Sequence, residues 1–401
     1  MRHAARWPPV VENPRSDGAD ATVADMNRPT LLPHLRPLWR DRATLQLGTD
    51  PERAVVVEFA QLASTRILGL LDGTRTERAV VADAAALGIA ADEVGTVLAG
   101  LRLAGVLIDA QALVPPALPP LRRRLLAGEA VSLVLRRPPM PDNWSRGGAG
   151  GVGAGDAGHP GARGGGARSP AQLLSRRDAA RVVVAGQARL AAPIAAALAA
   201  AGVGHVAGQL AGAVTDDDIA IAGLAPADVG RPVTQAVTDL VTRAAPGVRT
   251  TAVSLDQATL LVRVGADPTP ATLAARAYAR RRLPHLAVTV REGAVVIGPF
   301  VGAAGSPCLA CLDLHRGDRD PAWRTLAAQL ATEPATAQAC GATTTLVGVG
   351  YAVSEVLTYL DGGTPRSRGA TIEIDDAGGE RRRTWSVHPR CDCRRGRRSS
   401  A

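Results

Sequence analysis

A glycine-rich stretch, residues 147–168, limits what this chain can fold into. Eleven of its 22 residues are glycine. A segment with so few side chains to bury cannot offset the entropy of being ordered, so it behaves as a flexible linker. The parts on either side must therefore build separate cores. We predict two domains, 30–135 and 175–395, joined by a linker over 136–174.

Composition restricts the chemistry available to both domains. Apolar residues make up 46% of the chain but aromatic residues only 2%, so the cores are expected to be aliphatic. The 46 basic side chains are all arginine, against 37 acidic ones, and the net charge is +9. Because the chain contains no lysine, any mechanism that depends on a lysine amine is excluded.

The sequence lacks the patterns of a membrane span or a secretory signal. Its uninterrupted apolar runs stay below the ~18 residues that a spanning helix needs. The amino-terminal residues also lack the apolar core of a signal peptide. We therefore predict a cytoplasmic protein with no membrane partner. Residues 1–29 are polar and aperiodic, which predicts disorder, with Met26 as a candidate start, and residues 396–401 form a basic tail.

The first domain combines short helices with short strands. Thr74 and Glu77 have the spacing of a capping box, which predicts a helix that continues to Ala86. The apolar patterns predict two further helices and two strands: helices at 61–71 and 91–104, and strands at 54–59 and 106–110. Three short helices followed by a strand resemble a winged helix-turn-helix.

Strands and helices alternate regularly in the second domain. The predicted strands lie at 181–186, 205–212, 259–265 and 285–290, and the predicted helices at 190–201, 231–245, 270–282 and 343–362. Such alternation favours a parallel, doubly wound sheet of the Rossmann type. The predicted fold class is therefore α/β, with a winged-helix-like domain before a Rossmann-like domain.

Four of the five cysteines form two close pairs. Cys308 and Cys311 are separated by two residues, and Cys391 and Cys393 by one. In a reducing compartment such pairs are metal ligands more often than disulfides. Four thiolates match tetrahedral zinc, and a site with no position left for water would be structural. Two alternatives stay open: the thiols are unlinked, or a nearby histidine replaces one ligand, with His315 and His388 as the candidates.

The strand, turn and helix at 181–201 occupy the place of a dinucleotide- or ATP-binding loop. The full fingerprint needs three glycines, so that backbone N–H groups can approach phosphates, and only Gly186 is present here. Arg189 is a candidate anion contact at the start of the helix. The acid expected to bind ribose is missing from its place, and the nearest acids are Asp216, Asp217 and Asp218. These departures disfavour nucleotide binding.

Taken together, the motifs resemble those of the ThiF, MoeB and ubiquitin-activating superfamily. The shared features are a Rossmann-like unit, a Cys-x-x-Cys pair, a late apolar helix ending in Asp-Gly-Gly, and a terminal cysteine pair. More narrowly, residues 30–135 and 175–395 resemble ThiF-like proteins of actinobacterial clusters for thiazole/oxazole-modified microcins (TOMM). Three segments carry this resemblance: GPFVGAAGSPCLACLDLHRGDRDPAW (298–323), PLWRDRATLQLGTDPERAVVV (37–57) and LLDGTRT (70–76).

The resemblance implies a peptide-binding role in bacteriocin biosynthesis. In that family the winged-helix element recognises the leader of a ribosomal precursor peptide, which adds as a strand to its edge. The ThiF-like body, with its zinc, then presents the peptide to a YcaO-type cyclodehydratase that uses ATP. A homodimer is a further candidate assembly.

Departures from the adenylating members of the superfamily argue against ATP chemistry in this chain. The segment 228–233 resembles the stretch that carries their phosphate-binding lysine, yet it has Val233. Loss of charges at the phosphates removes the main source of transition-state stabilisation. Some members also form a thioester on a cysteine outside the zinc site, and Cys340 is the candidate here. Its alternative role is that of a small, buried apolar side chain.

Two other functions stay open on the sequence. One is an active ThiF-like adenylyltransferase acting on a peptide or carrier C-terminus, which the missing loop and lysine disfavour. The other is a winged-helix DNA-binding regulator, suggested by the +9 charge. Residues 74–104 balance their arginines against acids, whereas a groove-reading surface carries a basic excess. Nucleic acid is therefore disfavoured as a partner.

Overall fold

The structure is a computed structural model that describes residues 28–135, 168–265, 271–303, 307–332, 340–375 and 378–393, apart from 34, 43, 51–53, 60 and 61. The predicted basic tail, nearly all of the predicted disordered N-terminus and most of the predicted linker lie outside the described residues. The described chain forms two compact units: one contains residues 28–118, 127–135 and 168–172, and the other contains 119–126 and 173–393. None of the described helices is both long enough and apolar enough to cross a membrane.

Two small antiparallel sheets organise the first unit. The larger has three strands, with β3 in the centre: β2 (Pro37–Trp39), β3 (Thr44–Leu47) and β4 (Val55–Glu58). The smaller pairs β1 (Pro29–Leu31) with β5 (Leu107–Asp109). Sequence patterns predict β4 and β5 but miss β1, β2 and β3. Strands β1 and β2 each begin with a proline, which argues against a strand in a local pattern, and β3 lacks the run of β-branched residues that marks β4.

The helices of the first unit are α1 (Ile67–Leu70), α2 (Glu77–Ala86), α3 (Ala91–Leu103) and α5 (Ala127–Val134). Leu45 and Leu47 of β3 share one buried cluster with Val80 of α2 and Leu98 of α3. The predicted helix at 61–71 is instead a 3-10 turn followed by the single turn of α1. The unit therefore builds its own, largely aliphatic core.

The start of α2 corrects the predicted capping box. Thr76, rather than Thr74, caps this helix, because its hydroxyl oxygen accepts a hydrogen bond from the N–H of Ala79 at 3.2 Å. The hydroxyl of Thr74 is used elsewhere, donating to the carboxylate of Asp72 in the preceding turn. A polar side chain that satisfies a turn in this way is no longer available to cap a helix.

A seven-stranded mixed sheet forms the centre of the second unit. Its strands are β6 (Arg181–Gly186), β7 (His205–Gln209), β8 (Leu260–Val264), β9 (His285–Arg291), β10 (Ala294–Val301), β11 (Ala370–Ile374) and β12 (Glu380–Thr384). Their spatial order is β12-β11-β10-β9-β8-β6-β7. Strands β7, β6, β8 and β9 run parallel, whereas β10, β11 and β12 pair antiparallel with their neighbours.

The expectation of a parallel, doubly wound sheet is therefore wrong for half of the sheet. Strand β9 returns directly as β10 through a tight turn at Glu292 and Gly293, where φ is +51° and +87°. A hairpin of this kind replaces the helical crossover that a parallel neighbour would need. The α/β class itself is confirmed, and the strands predicted at 181–186 and 285–290 are present.

The described part of the second unit also contains helices. They are α4 (Pro120–Leu125), α6 (Pro170–Ala179), α7 (Ala188–Ala200), α8 (Val233–Ala244), α9 (Ala271–Arg280), α10 (Leu309–Arg319), α11 (Trp323–Thr332) and α12 (Ala342–Leu360). Val182 and Val184 of β6 join the core that contains α7, α8 and α12. Val183, between them, joins the opposite core with α9. This alternation is what a strand buried on both faces requires.

Candidate functional site

Two segments of the second unit bring four cysteines together. Cys308 is the residue before α10, and Cys311 lies in the first turn of that helix. Cys391 and Cys393 follow β12, in the segment that leaves the sheet. The four sulfur atoms all lie within 4.8 Å of one another. The pairs that the sequence spacing predicts as one site are therefore adjacent in space.

The distances between the sulfur atoms fit a tetrahedral metal ion. The Sγ atom of Cys308 lies 3.8 Å from that of Cys311 and 3.6 Å from that of Cys391, while Cys311 and Cys393 are 3.4 Å apart. Zinc–sulfur bonds of about 2.3 Å place tetrahedral sulfurs about 3.8 Å apart, whereas a disulfide needs about 2.05 Å. The thiols are free, and the cluster could hold a metal ion such as zinc.

The electrostatics of the cluster also favour a cation. The pKa of Cys311 is lowered to about 4, chiefly because the Cys308 thiol donates a hydrogen bond to its sulfur. The backbone N–H of His388 donates to the same sulfur at 3.4 Å. The pKa of Cys308 is raised because its proton is held in that bond and because the thiol is buried, and burial raises the pKa of Cys393 to about 12. Four sulfurs this close together, three of them on buried residues, cannot all ionise unless a cation joins them.

The two histidines considered as substitute ligands are engaged elsewhere. The Nε2 atom of His388 lies 2.8 Å from a carboxylate oxygen of Asp318, and its Nδ1 atom accepts the N–H of Arg390 at 3.1 Å. The Nε2 atom of His315 lies 3.0 Å from the carbonyl oxygen of Ser386. Both rings therefore support the segment that carries Cys391, which leaves the four sulfurs as the donor set.

Gly186 has a structural role at the end of β6. Its φ is +111°, and a Cβ there would lie 1.8 Å from the carbonyl oxygen of Val264 on β8. Only glycine permits this approach of two backbones. Helix α7 begins two residues later, at Ala188.

Arg189 is held by main-chain carbonyl groups. Its guanidinium donates to the oxygens of Asp217 at 3.3 Å, Ile219 at 3.1 Å and Cys340 at 3.2 Å. The arginine therefore links the start of α7 to two distant loops. Of the acids considered for ribose binding, Asp218 accepts the N–H and hydroxyl groups of Thr215 in a capping box.

A pocket of about 660 Å³ lies beside these residues, lined by Arg189, Glu292, Gly293, Ala294, Cys340, Gly341 and Asp375. Pockets of this size hold small molecules or peptide ends. The Cys340 side chain is only 9% exposed, and its sulfur accepts a hydrogen bond from the hydroxyl of Thr345 at 3.5 Å. Sequence reasoning missed Glu292 and Asp375, because both lie in turns that carry no motif.

Neither a family model nor a curated protein sequence matches the chain. Solved structures do match it. One is E. coli MccB with succinimide, at 12% identity and a TM-score of 0.57, covering 91% of this chain and 98% of that chain. Another is the microcin C7 biosynthetic enzyme MccB in complex with N-formylated MccA, at 12% identity and a TM-score of 0.56, covering 91% of this chain and 99% of that chain.

The heterocyclase TruD also matches, at 16% identity and a TM-score of 0.52, covering 91% of this chain but 42% of that chain. At such low sequence identities, these structural matches show a shared fold alone. The fold expected from the cysteine and helix motifs is thus found in proteins of microcin and heterocycle biosynthesis.

Proposed function

We propose that this chain is a ThiF-like, non-catalytic component of ribosomal peptide maturation. It binds the leader of a precursor peptide and presents the peptide to a YcaO-type cyclodehydratase that forms thiazoles or oxazoles. The observation that carries this proposal is the likeness of 91% of this chain to 98% of MccB, a protein solved with the peptide MccA. The likeness to the heterocyclase TruD supports the same class of process.

The three-stranded sheet of the first unit, interpreted as the wing of a winged-helix element, offers an edge for the leader. The N–H of Arg40 donates to the carbonyl of Thr44, so the backbone of Thr44 faces β2. Because backbone direction alternates along a strand, the outward N–H groups of β4 belong to Val56 and Glu58. Among the described strands, β4 pairs only with β3. The other edge, β2, contains Pro37, which has no N–H to offer.

Several features of the second unit support a role without ATP chemistry. The chain contains no lysine, and Arg189 already donates to three carbonyl oxygens. Gly186 is required by the backbone of β8. A phosphate group would therefore meet no glycine-rich cradle, and both terminal nitrogens of Arg189 already donate to carbonyl oxygens.

The cysteine cluster is proposed to bind one structural zinc ion. With four protein sulfurs, the metal would have no position for water or substrate. It would hold the segment after β12 against the start of α10, which secures that end of the sheet. The metal therefore supports the fold and takes no part in a reaction.

A second candidate function is adenylation of a peptide C-terminus. MccB has been solved with ATP, and the pocket of about 660 Å³ beside Cys340 has room for a peptide end or a nucleotide. Pyrophosphate exchange that depends on an added peptide would favour this candidate. No exchange at high protein concentration is expected.

Binding of a locally encoded peptide by the full chain tests the proposal. Short precursor peptides encoded beside the gene are labelled, and their fluorescence anisotropy is titrated with the protein. Glu58→Pro removes an outward N–H from β4 without removing a bond to β3, and should weaken binding by about tenfold. Glu58→Gln, which keeps the backbone donor, is the matched control and should bind as the wild type does.

Two results would overturn the leader-binding proposal. One is that none of the locally encoded peptides binds at micromolar concentration. The other is that Glu58→Pro binds as tightly as Glu58→Gln while both proteins keep the same melting temperature. Peptide-dependent pyrophosphate exchange would instead transfer support to the adenylating candidate.

A further inference from the structure

Strand β12 forms an arginine-rich edge of the seven-stranded sheet. It is the last strand in the spatial order, and among the described residues only β11 pairs with it. All five of its residues are exposed, and three consecutive ones are Arg381, Arg382 and Arg383. An open edge offers unpaired backbone groups to another strand, and like charges on it repel a second copy of the same edge. The same charges attract a strand of opposite charge.

The register of β12 shows which backbone groups are available. The N–H of Trp385 donates to the carbonyl of Gly369, and that of Asp375 to the carbonyl of Gly379. Hydrogen-bonded pairs recur at every second residue, so Arg381 and Arg383 direct their backbone toward β11. The N–H groups of Glu380, Arg382 and Thr384 therefore face away from the sheet, at the spacing of one side of a β-ladder.

Three arginines at this edge lack a carboxylate within ion-pair distance among the described residues: Arg316, Arg319 and Arg383. The guanidinium of Arg316 instead stacks 5.0 Å from the ring of Trp323. The guanidinium groups of Arg319 and Arg383 stack on the ring of Trp385, at 5.4 and 6.0 Å. Stacking fixes an arginine in position while leaving its N–H groups available to an anion.

The positive charges of the arginines around Arg316 repel one another. Burial lowers the pKa of Arg316 most, and the positive charges of Arg291 and Arg383 lower it further, while the carboxylate of Asp313 partly offsets them. The nearby carboxylate of Glu373 is already shared, because it bonds both Arg291 and Arg381 at 2.6 Å. An incoming carboxylate would relieve this repulsion.

We propose that the β12 edge binds an extended acidic peptide segment, which adds as a further strand with acidic side chains at every second position. Strand addition uses the outward N–H groups of β12 for affinity and the side-chain charges for selection. Acidic residues at alternate positions would lie on the same face as Arg381 and Arg383. A nucleic acid could meet the arginines, but it has no backbone that matches a β-ladder. The inference does not depend on the proposed function of the first unit.

The test uses the full chain and three synthetic probes. The first is a short peptide with glutamate alternating with threonine or valine; the second has glutamine in place of glutamate; the third is a single-stranded DNA of the same net charge. Binding is followed by fluorescence anisotropy. The acidic peptide should bind and the glutamine peptide should not. Arg381→Gln and Arg383→Gln should each weaken binding about twofold to fivefold, the value of one cross-strand ion pair.

A proline at the edge separates strand addition from simple charge attraction. Arg382→Pro removes an outward N–H but no bond to β11, and edge strands tolerate proline. It should weaken acidic-peptide binding by about tenfold relative to the matched Arg382→Gln variant. Unchanged melting temperatures show that all variants are folded. Equal binding of the two Arg382 variants, equal binding of the glutamine peptide, or tighter binding of the DNA would each overturn the proposal.

Discussion

Removing one cysteine from the metal cluster should destabilise the second unit, whereas removing the cysteine outside it should not. Cys391→Ser deletes one sulfur from a set whose members lie 3.4 to 3.8 Å from their neighbours. Cys340→Ser is the matched control, because Cys340 is also buried yet lies outside the cluster. Serine keeps its volume close to that of cysteine and can still accept the hydrogen bond from Thr345.

The magnitude follows from the length of chain that the metal closes. Roughly 80 residues separate Cys311 from Cys391. Closing a loop of that length lowers the entropy of the unfolded chain by the equivalent of about 4.5 kcal/mol at 25 °C. Because three ligands remain in the variant, we expect a loss of about 2–4 kcal/mol. A unit of this size loses about 2–4 °C per kcal/mol, so the melting temperature should fall by roughly 5–15 °C.

The assay combines zinc content with thermal melting. Wild type and Cys340→Ser should carry one zinc per chain, and Cys391→Ser much less. A chelator should lower the melting temperature of the wild type at least to that of Cys391→Ser, and should lower that of the variant much less. Wild-type protein that contains no zinc after purification with added zinc would refute the reasoning. So would equal losses of stability in the two serine variants.

Three further changes test the structure of the second unit. Arg177 is fully buried and bonds both carboxylate oxygens of Asp361. The substitution Arg177→Met should therefore lower the free energy of unfolding, measured in urea, by about 3–5 kcal/mol. A loss below about 1 kcal/mol would contradict this. Burial lowers the pKa of His285 to about 4, so below pH 6.5 the unfolded state binds more protons at this residue than the folded state does. The free energy of unfolding should therefore fall by about 2 kcal/mol from pH 7 to pH 5. The variant His285→Phe should lack this contribution. Arg189→Met should lower stability by about 1–3 kcal/mol, because three carbonyls lose a charged donor; an unchanged melting temperature would argue for a ligand-binding role instead.

The parallel half of the large sheet is predictable because its strands are buried on both faces. The RVVVAG run at 181–186 is continuously apolar apart from its ends, and the alanine-rich helix α7 follows it. Among the antiparallel strands, β10 is as apolar and buried as the parallel ones, although Gly298 and Pro299 interrupt its pattern, whereas the last strand gives no such signal. Strand β12 reads ERRRT and is exposed throughout, so neither hydrophobicity nor alternation marks it. Its structure depends on β11 beside it, which a local pattern cannot encode.

The cysteine cluster is predictable for a related reason. Metal ligands come in close pairs, and close pairs are visible in a sequence. The hydrogen bonds of Arg189, after the first strand of the large sheet, cannot be recognised in the sequence in this way. Arg189 bonds the carbonyl of Cys340, 151 positions later in the chain, and a backbone acceptor leaves no mark on the residue that supplies it. The sequence therefore predicts the four sulfur donors of the candidate metal site. It does not predict the hydrogen bonds of Arg189 at the start of α7.

The cysteine cluster should also lower the tendency of this protein to aggregate. At one end of β12 the N–H of Asp375 donates to the carbonyl of Gly379, and Cys391 and Cys393 follow its other end. Anchored at both ends, the strand cannot readily fray from the sheet. If the anchor failed, the edge of β11 would be uncovered, and β11 carries the buried residues Ala370, Ile372 and Ile374. An apolar strand edge is a template for the strands of other chains. Loss of the metal should therefore replace the charged edge of β12, which repels its own copies, with the apolar edge of β11. Metal-depleted protein should form intermolecular β-structure below its melting temperature.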